Sequence, residues 1–153
     1  MICPRLPRRP GPFFARVPLL ALALLLSATA AAQATRLTVT VAGVRDGRGH
    51  VRIGVCERAQ FLSEICSYHA VVSSKAGSVT TVISGIQPGM YAIAAYQDAT
   101  DAGHLRRNLI GIPKDGSGFS RNPPPRMGPP AFADCALTIG THDAAVTVML
   151  RYF

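Results

Sequence analysis

Strict alternation of apolar and polar residues marks two segments of the chain. In Leu37–Ala42 the side chains of Leu37, Val39 and Val41 alternate with threonines, and in Ala144–Tyr152 the apolar positions again fall at every second residue. Successive side chains of a strand point to opposite faces of a sheet. Both segments are therefore predicted to be strands with one buried face.

The stretch Gly85–Asp98 predicts the most central strand. Pro88-Gly89 suits a tight turn, because proline presets φ at the first corner and glycine accepts a positive φ at the second. Residues 90–98 then contain no breaker, and both alternating sets are largely apolar. A strand that is apolar on both faces is usually covered on both.

Several shorter segments complete the pattern. Asp46-Gly47 is a typical hairpin turn and predicts that the following strand returns beside Leu37–Ala42. A Lys-Ala-Gly turn at 75–77 predicts a second hairpin. With about seven short strands and no amphipathic helix, the chain is predicted to be all-β, a single antiparallel β-sandwich. The additional strands are predicted at His50–Cys56, Tyr68–Ser73, Ser78–Ser84 and Ala136–Ile139.

The first 34 residues are predicted to be a cleaved signal peptide. Four arginines lead into the apolar run Val17–Ala32, and the small residues Ala32 and Ala34 suit cleavage after Ala34. The run is short for a membrane-spanning helix, which needs about 20 apolar residues. We expect a periplasmic or secreted protein, with no transmembrane anchor after cleavage and one domain over residues 35–153.

Removal of this leader lowers the positive charge. The chain has 16 basic and 8 acidic side chains, and four of the basic ones precede residue 35. The remaining positive charges are scattered apart from Arg106-Arg107, and no basic stripe is interleaved with aromatic residues. Nucleic acid is therefore not an expected partner.

Three cysteines follow the leader. Cys56 and Cys66 are close in sequence, and in an oxidising compartment we expect them to form a disulfide across a short loop. Pairing of either one with Cys135 is the alternative. Cys135 has no adjacent histidine or lysine that would lower its thiol pKa, so we expect it to be inert.

A long stretch rich in glycine and proline, the 98–135 segment, follows the central strand. Loops of this length in compact domains are usually functional or disordered, and this one carries apolar and aromatic residues that disordered linkers lack. We expect it to fold back on the sandwich and to carry the binding surface. Phe119 and Phe132 are expected to pin the segment to the core, and contact with a ligand is the alternative for both. The candidate binding residues are Tyr96, Asp98, Arg106, Arg107, Lys114, Phe119, Arg121 and Phe132.

Several motifs resemble the domain of unknown function 2141 family of exported bacterial proteins. They are Pro88-Gly89-Met90-Tyr91-Ala92, Gly111-Ile112-Pro113-Lys114, Gly118-Phe119-Ser120 and Gly128-Pro129-Pro130-Ala131-Phe132. The resemblance covers essentially the whole chain after the leader. It implies a transthyretin-like or immunoglobulin-like sandwich, and it implies no activity because the family is uncharacterised.

The chain departs from this family at residues 98–106. In many members this loop is acidic and resembles a calcium site, and calcium requires several oxygen ligands at alternate positions. Here Asp98 remains, but Ala102 and Arg106 stand where oxygen ligands are expected. We therefore expect a degenerate metal loop and no cofactor, with Asp98 and Asp101 as weak metal candidates and Arg106 paired with one of these two aspartates.

The motifs of common catalytic sites are absent from the sequence. It contains no Gly-x-Ser-x-Gly elbow and no complete phosphate-binding loop. The expected function is a non-enzymatic structural or binding module of the bacterial cell envelope, with an envelope protein, a glycan or a small ligand as partner. Two alternatives are a calcium-stabilised module and an envelope hydrolase that uses Asp98 or Asp101 as a base. The hydrolase requires a deep polar cleft beside these aspartates.

Overall fold

The computed structural model describes residues 35–126 and 128–153, so the predicted signal peptide lies outside the described residues. The described residues form eight strands and one short α-helix. Among them, no helix is long and apolar enough to cross a membrane. In chain order the elements are β1 Thr35–Val44, β2 His50–Cys56, a 3-10 turn at Arg58–Gln60, β3 Tyr68–Ser73, β4 Gly77–Ile86, β5 Gly89–Asp98, β6 Ser117–Phe119, α1 Phe132–Cys135, β7 Ala136–Ile139 and β8 Ala144–Met149.

Two sheets enclose one hydrophobic core, which confirms the predicted sandwich. The smaller sheet has the order β4-β1-β8. The larger has the order β3-β2-β5-β6, and β7 pairs with β5 alongside β6. The strand pairs are antiparallel with one exception, since β1 and β8 run parallel.

The alternating positions supply the core between the sheets. Leu37, Val39 and Val41 of β1 are fully buried, while the threonines between them are half-buried. On β5 both faces are covered: Ile93 points into the core, and Ala92 is buried on the opposite face. Since β5 also has partners along both edges, the prediction that it is the central strand is confirmed.

Both predicted hairpins are wrong. β1 pairs with β4 and β8, whereas β2 pairs with β3 and β5, so the link at 45–49 joins the two sheets. β3 and β4 are likewise in different sheets. The buried Gln97 of β5 explains the first link, because its Nε2 donates to the main-chain oxygen of Asp46 (3.1 Å) and to Asp46 Oδ1 (2.9 Å). The turn residues bend the chain locally, and these contacts hold the link against β5, the partner of β2.

The strand β6 lies inside the 98–135 segment, where the sequence pattern shows no periodicity. It has three residues, and its central Gly118 approaches β8 closely. A Cβ at Gly118 would lie 2.2 Å from the main-chain oxygen of Met149, so only glycine fits. Glycine removes the side-chain signal on which strand prediction depends.

The predicted disulfide between Cys56 and Cys66 is confirmed. Gly54 makes room for it, because a Cβ there would lie 2.9 Å from Cys66 Sγ. Cys135 is a free and fully buried thiol. Its burial raises the thiol pKa to about 11, which favours the unreactive protonated form.

Candidate functional site

The outer face of the larger sheet carries the 98–135 segment. Val51, Ile53 and Val55 of β2 face the core, so the residues between them point outward, as do Ala92 and Ala94 of β5. The alanines leave space above the sheet. Aromatic rings fill this space at one end, and a charged network holds the segment at the other.

At the aromatic end three phenylalanines form a cluster over Ala92. The ring centroids of Phe61 and Phe119 are 5.8 Å apart and those of Phe61 and Phe132 are 5.7 Å apart, both in edge-to-face geometry. Phe132 is buried, and Phe119 is half-buried. Phe61 lies in the loop closed by the disulfide, so the cluster joins that loop to the 98–135 segment.

Ser120 fixes the segment between these two ends. Its buried hydroxyl donates to the main-chain oxygen of Cys135 (2.6 Å) and accepts the main-chain N–H of Ile93 (2.9 Å). Its own N–H donates to the oxygen of Ile93 (2.8 Å). One serine therefore ties the central strand to α1, a role that the sequence did not indicate.

At the charged end Asp98 is fully buried and holds the start of the segment. Its carboxylate accepts hydrogen bonds from Arg52 Nε (2.8 Å) and from the main-chain N–H groups of Ala102 (2.9 Å) and Gly103 (2.8 Å). Burial alone would raise the pKa of Asp98, but the bonds from Gly103, Ala102 and Arg52 outweigh it and lower the pKa. Asp98 thus has hydrogen-bond donors on both of its carboxylate oxygens and no exposed surface for a partner.

The expected pairing of Arg106 with Asp98 or Asp101 is wrong. Arg106 donates through its main-chain N–H and its guanidinium to the buried Asp115. Asp98 is paired with Arg52, and Asp101 Oδ1 lies 2.6 Å from His50 Nδ1. The physical reason is the register of the sheet. His50 lies opposite Asp98, so the side chains of β2 are close to both aspartates.

The Arg106–Asp115 pair closes a smaller loop, the 106–115 loop. Lys114 donates its N–H to the oxygen of Arg106 (2.9 Å), and the Asn108 carboxamide oxygen accepts the N–H groups of Ile110 (3.1 Å) and Ile112 (2.9 Å). These bonds shape the tip although Leu109 and Ile110 are exposed. The loop is therefore ordered by its own polar contacts, without burial of its apolar residues.

The arrangement around the aspartates offers little for a metal. Among the described residues, no group of three or more histidine, cysteine or acidic side chains could hold one. A polar cavity of about 80 Å³ lies nearby, lined by residues that include Gln97, Ala99 and Asp115. Neither Asp98 nor Asp101 lines it.

The 98–135 segment also forms a large apolar groove of about 880 Å³, here called the proline groove. Its walls come from the 106–115 loop, from β6 and from the proline-rich residues 122–126 and 128–130, together with Arg151 and Phe153. Six prolines line it, at positions 113, 123–125, 129 and 130. Ile110, Ile112 and Phe119 add further apolar surface.

The predicted site residues fall in different places. Arg107 and Phe119 line the proline groove, and Lys114 lines the small polar cavity. Arg121 is exposed and donates to the oxygen of Ala136 (3.2 Å), and Tyr96 is half-buried with its hydroxyl bonded to Gly103. The run Pro123–Pro125 and the apolar pair Leu109-Ile110 indicated an ordered apolar segment but did not indicate the groove.

Comparison with known proteins identifies a family and no activity. No curated protein and no solved structure matches the chain. The sequence profile of a family described as uncharacterised proteins conserved in bacteria, DUF2141, matches residues 39–147, from β1 to β8. This match spans most of the chain and includes the whole 98–135 segment, so the protein belongs to the DUF2141 family.

Proposed function

We propose that this protein is a non-enzymatic, exported binding module of the bacterial cell envelope and that it binds an apolar ligand in the proline groove. The observation that carries the proposal is the groove itself. Its volume of about 880 Å³ lies within the range of ligand sites, about 300–1,000 Å³. Its lining is mainly proline, aliphatic and aromatic, with few charged groups.

The groove stands on a rigid support. Its walls are held by the aromatic cluster, by Ser120 and by the Arg106–Asp115 pair. Binding to a preformed site costs less ordering entropy than binding to a mobile one. A long segment with this much internal bonding is typical of a binding surface on a scaffold.

Export is supported by two features. The pattern of the first 34 residues is that of a cleaved leader. The Cys56–Cys66 disulfide suits an oxidising compartment such as the periplasm or the cell exterior.

The non-enzymatic part of the proposal is supported by the state of the acidic residues. A general base needs a free lone pair within reach of a substrate. Asp98 is buried with its oxygens bonded to Arg52, Ala102 and Gly103, and the hydrolase alternative needs a deep polar cleft beside it. The polar cavity nearby is small and is not lined by this carboxylate.

A neutral fluorescent dye tests the groove. Nile red should bind the protein purified from the periplasm of an expression host and should gain fluorescence. Ile112→Glu replaces apolar contact surface in the groove with a charged, hydrated side chain and should weaken dye binding at least tenfold, because the neutral dye loses that apolar contact. Leu109→Glu is the matched control, since Leu109 belongs to the same loop but does not line the groove. Failure of the unaltered protein to bind, or equal loss in both variants, would overturn the proposal.

A further inference from the structure

We infer that the ligand of the proline groove is an anionic amphiphile with a single aliphatic chain, of which a long-chain fatty carboxylate is the simplest form. This inference rests on the proposed function and adds the chemical class of the ligand. Three features carry it: the charge of the groove, the state of its main-chain groups, and its size.

The charged groups of the groove are mainly positive. Arg107, Arg126 and Arg151 line it, together with one carboxylate side chain, that of Asp134. Arg126 lies 3.8 Å from Asp134, whereas Arg107 and Arg151 donate to the main-chain oxygens of Gly111 (3.1 Å) and Pro123 (2.9 Å). Within the described residues, neither Arg107 nor Arg151 has a carboxylate partner. A guanidinium retains donors for an incoming carboxylate and can bind it with two parallel bonds.

The main-chain groups of the groove do not suit a peptide. The outer edge of β6 is occupied at Ser117, which exchanges both main-chain hydrogen bonds with Arg151, and the oxygen of Phe119 accepts the N–H of Asn122. Asn108 already accepts the N–H groups of Ile110 and Ile112, and the six prolines have no N–H at all. A bound peptide would bury a series of carbonyl groups for which the main chain of the groove offers few donors, whereas an aliphatic chain has no such groups.

The size of the groove favours one chain over a two-chain lipid. A volume of about 880 Å³ is near the upper end for sites that take single drug-sized molecules. One saturated chain with a carboxylate head fits within that volume. Its tail would contact Ile112 and Phe119, and its head would reach one of the unpaired guanidiniums.

Displacement of Nile red by ligands below their micellar concentrations tests the inference. Dodecanoate should displace the dye at a concentration about tenfold lower than dodecanol, which has the same chain and no charge. Extension from octanoate to dodecanoate should lower the dissociation constant by more than tenfold, because each added methylene contributes several-fold to binding. Dodecyltrimethylammonium should be weaker than either dodecanoate or dodecanol.

Two arginine variants test the head-group contact. Arg107→Gln and Arg151→Gln, separately and together, should reduce the ratio of dodecanoate affinity to dodecanol affinity towards one, with both ligands measured on the same variant. Arg121→Gln is the matched control, because Arg121 belongs to the same segment but does not line the groove. Arg107 is exposed, so its substitution is not expected to disturb folding.

The outcomes separate the two claims. If Nile red binds but dodecanoate and dodecanol displace it equally, the inference is overturned and the proposed function stands. If Nile red does not bind, the proposed function itself fails. Binding to anionic phosphatidylglycerol vesicles without binding of monomeric dodecanoate would also overturn the inference, since the ligand would then be a membrane surface.

Discussion

At the scale of single residues, Asp98 shows how one buried charge can organise a loop. Its carboxylate holds two main-chain N–H groups at the start of the 98–135 segment and receives Arg52 from the neighbouring strand. Its neighbour Tyr96 donates to the oxygen of Gly103 (3.3 Å) in the same turn. Asp98 therefore positions the segment, and its side chain has no exposed surface.

Removal of the Asp98 charge should destabilise the protein strongly. Asp98→Asn keeps the size of the side chain but leaves the half-buried Arg52 without its anion, and we expect a loss of about 2–3 kcal/mol in the free energy of unfolding at pH 7. Urea denaturation measures it. Asp101→Asn is the control, because Asp101 and His50 are exposed and such pairs contribute less than about 1 kcal/mol.

The same variant should show a defined pH dependence. The pKa of Asp98 is lowered by folding from an ordinary value of 3.8, so its stabilising effect is complete above that value and is lost as the pH falls through the lower folded pKa. The stability difference between the unaltered protein and Asp98→Asn should therefore be constant from pH 7 to about pH 5 and should shrink below about pH 4. A difference that changes between pH 7 and pH 5 would contradict this role.

The importance of Asp98 could be predicted from sequence, but its partner could not. Its place at the end of an apolar strand and before a long loop was visible in the pattern. Arg106 was the nearest basic residue along the chain, whereas Arg52 is 46 residues away and is brought close by the pairing of β2 with β5. Side-chain partners across a sheet depend on register, which local pattern does not determine.

At the scale of elements, the segments with a clear period were predicted best. β1 and β8 alternate and form strands, and β5 is apolar on both faces and lies at the centre. The prediction of strand pairing was wrong at both turns, because each link joins a strand of one sheet to a strand of the other. β6 and α1 were missed because they have three and four residues and are held by contacts with distant elements.

The aromatic cluster tests whether the 98–135 segment is an integral part of the sandwich. Phe119→Ala should lower the free energy of unfolding by about 2 kcal/mol, because it removes a half-buried ring in contact with Phe61. Thermal unfolding followed by circular dichroism measures the change. Arg121→Ala, an exposed position two residues away, should have little effect. An unchanged melting temperature for Phe119→Ala would show that the ring serves only as a contact surface.

At the scale of the whole molecule, the proline groove is a product of tertiary structure. Its walls are distant in sequence, and glycine and proline residues without periodicity supply much of the lining. The sequence indicated that the segment is ordered, because it carries apolar anchors that linkers lack. It could not indicate a cavity, since the shape arises only when Asp115, Ser120 and the aromatic cluster hold the segment on the sheet.

The contacts of Asp98 and Asp101 lead to a prediction about calcium. A cation that binds only the folded state stabilises it according to its concentration relative to its dissociation constant, so a functional site would raise the melting temperature by several degrees in millimolar calcium. In this chain the Asp98 carboxylate is already paired with Arg52, and the Asp101 carboxylate is in contact with His50. We therefore expect the melting temperature in calcium and in chelator to agree within about one degree.

A rise of several degrees that disappears in Asp98→Asn would instead establish a calcium-stabilised module. The control is Asp134→Asn, which removes an acid in the proline groove and in which the rise should persist. Asp98 would then have to exchange Arg52 for the metal.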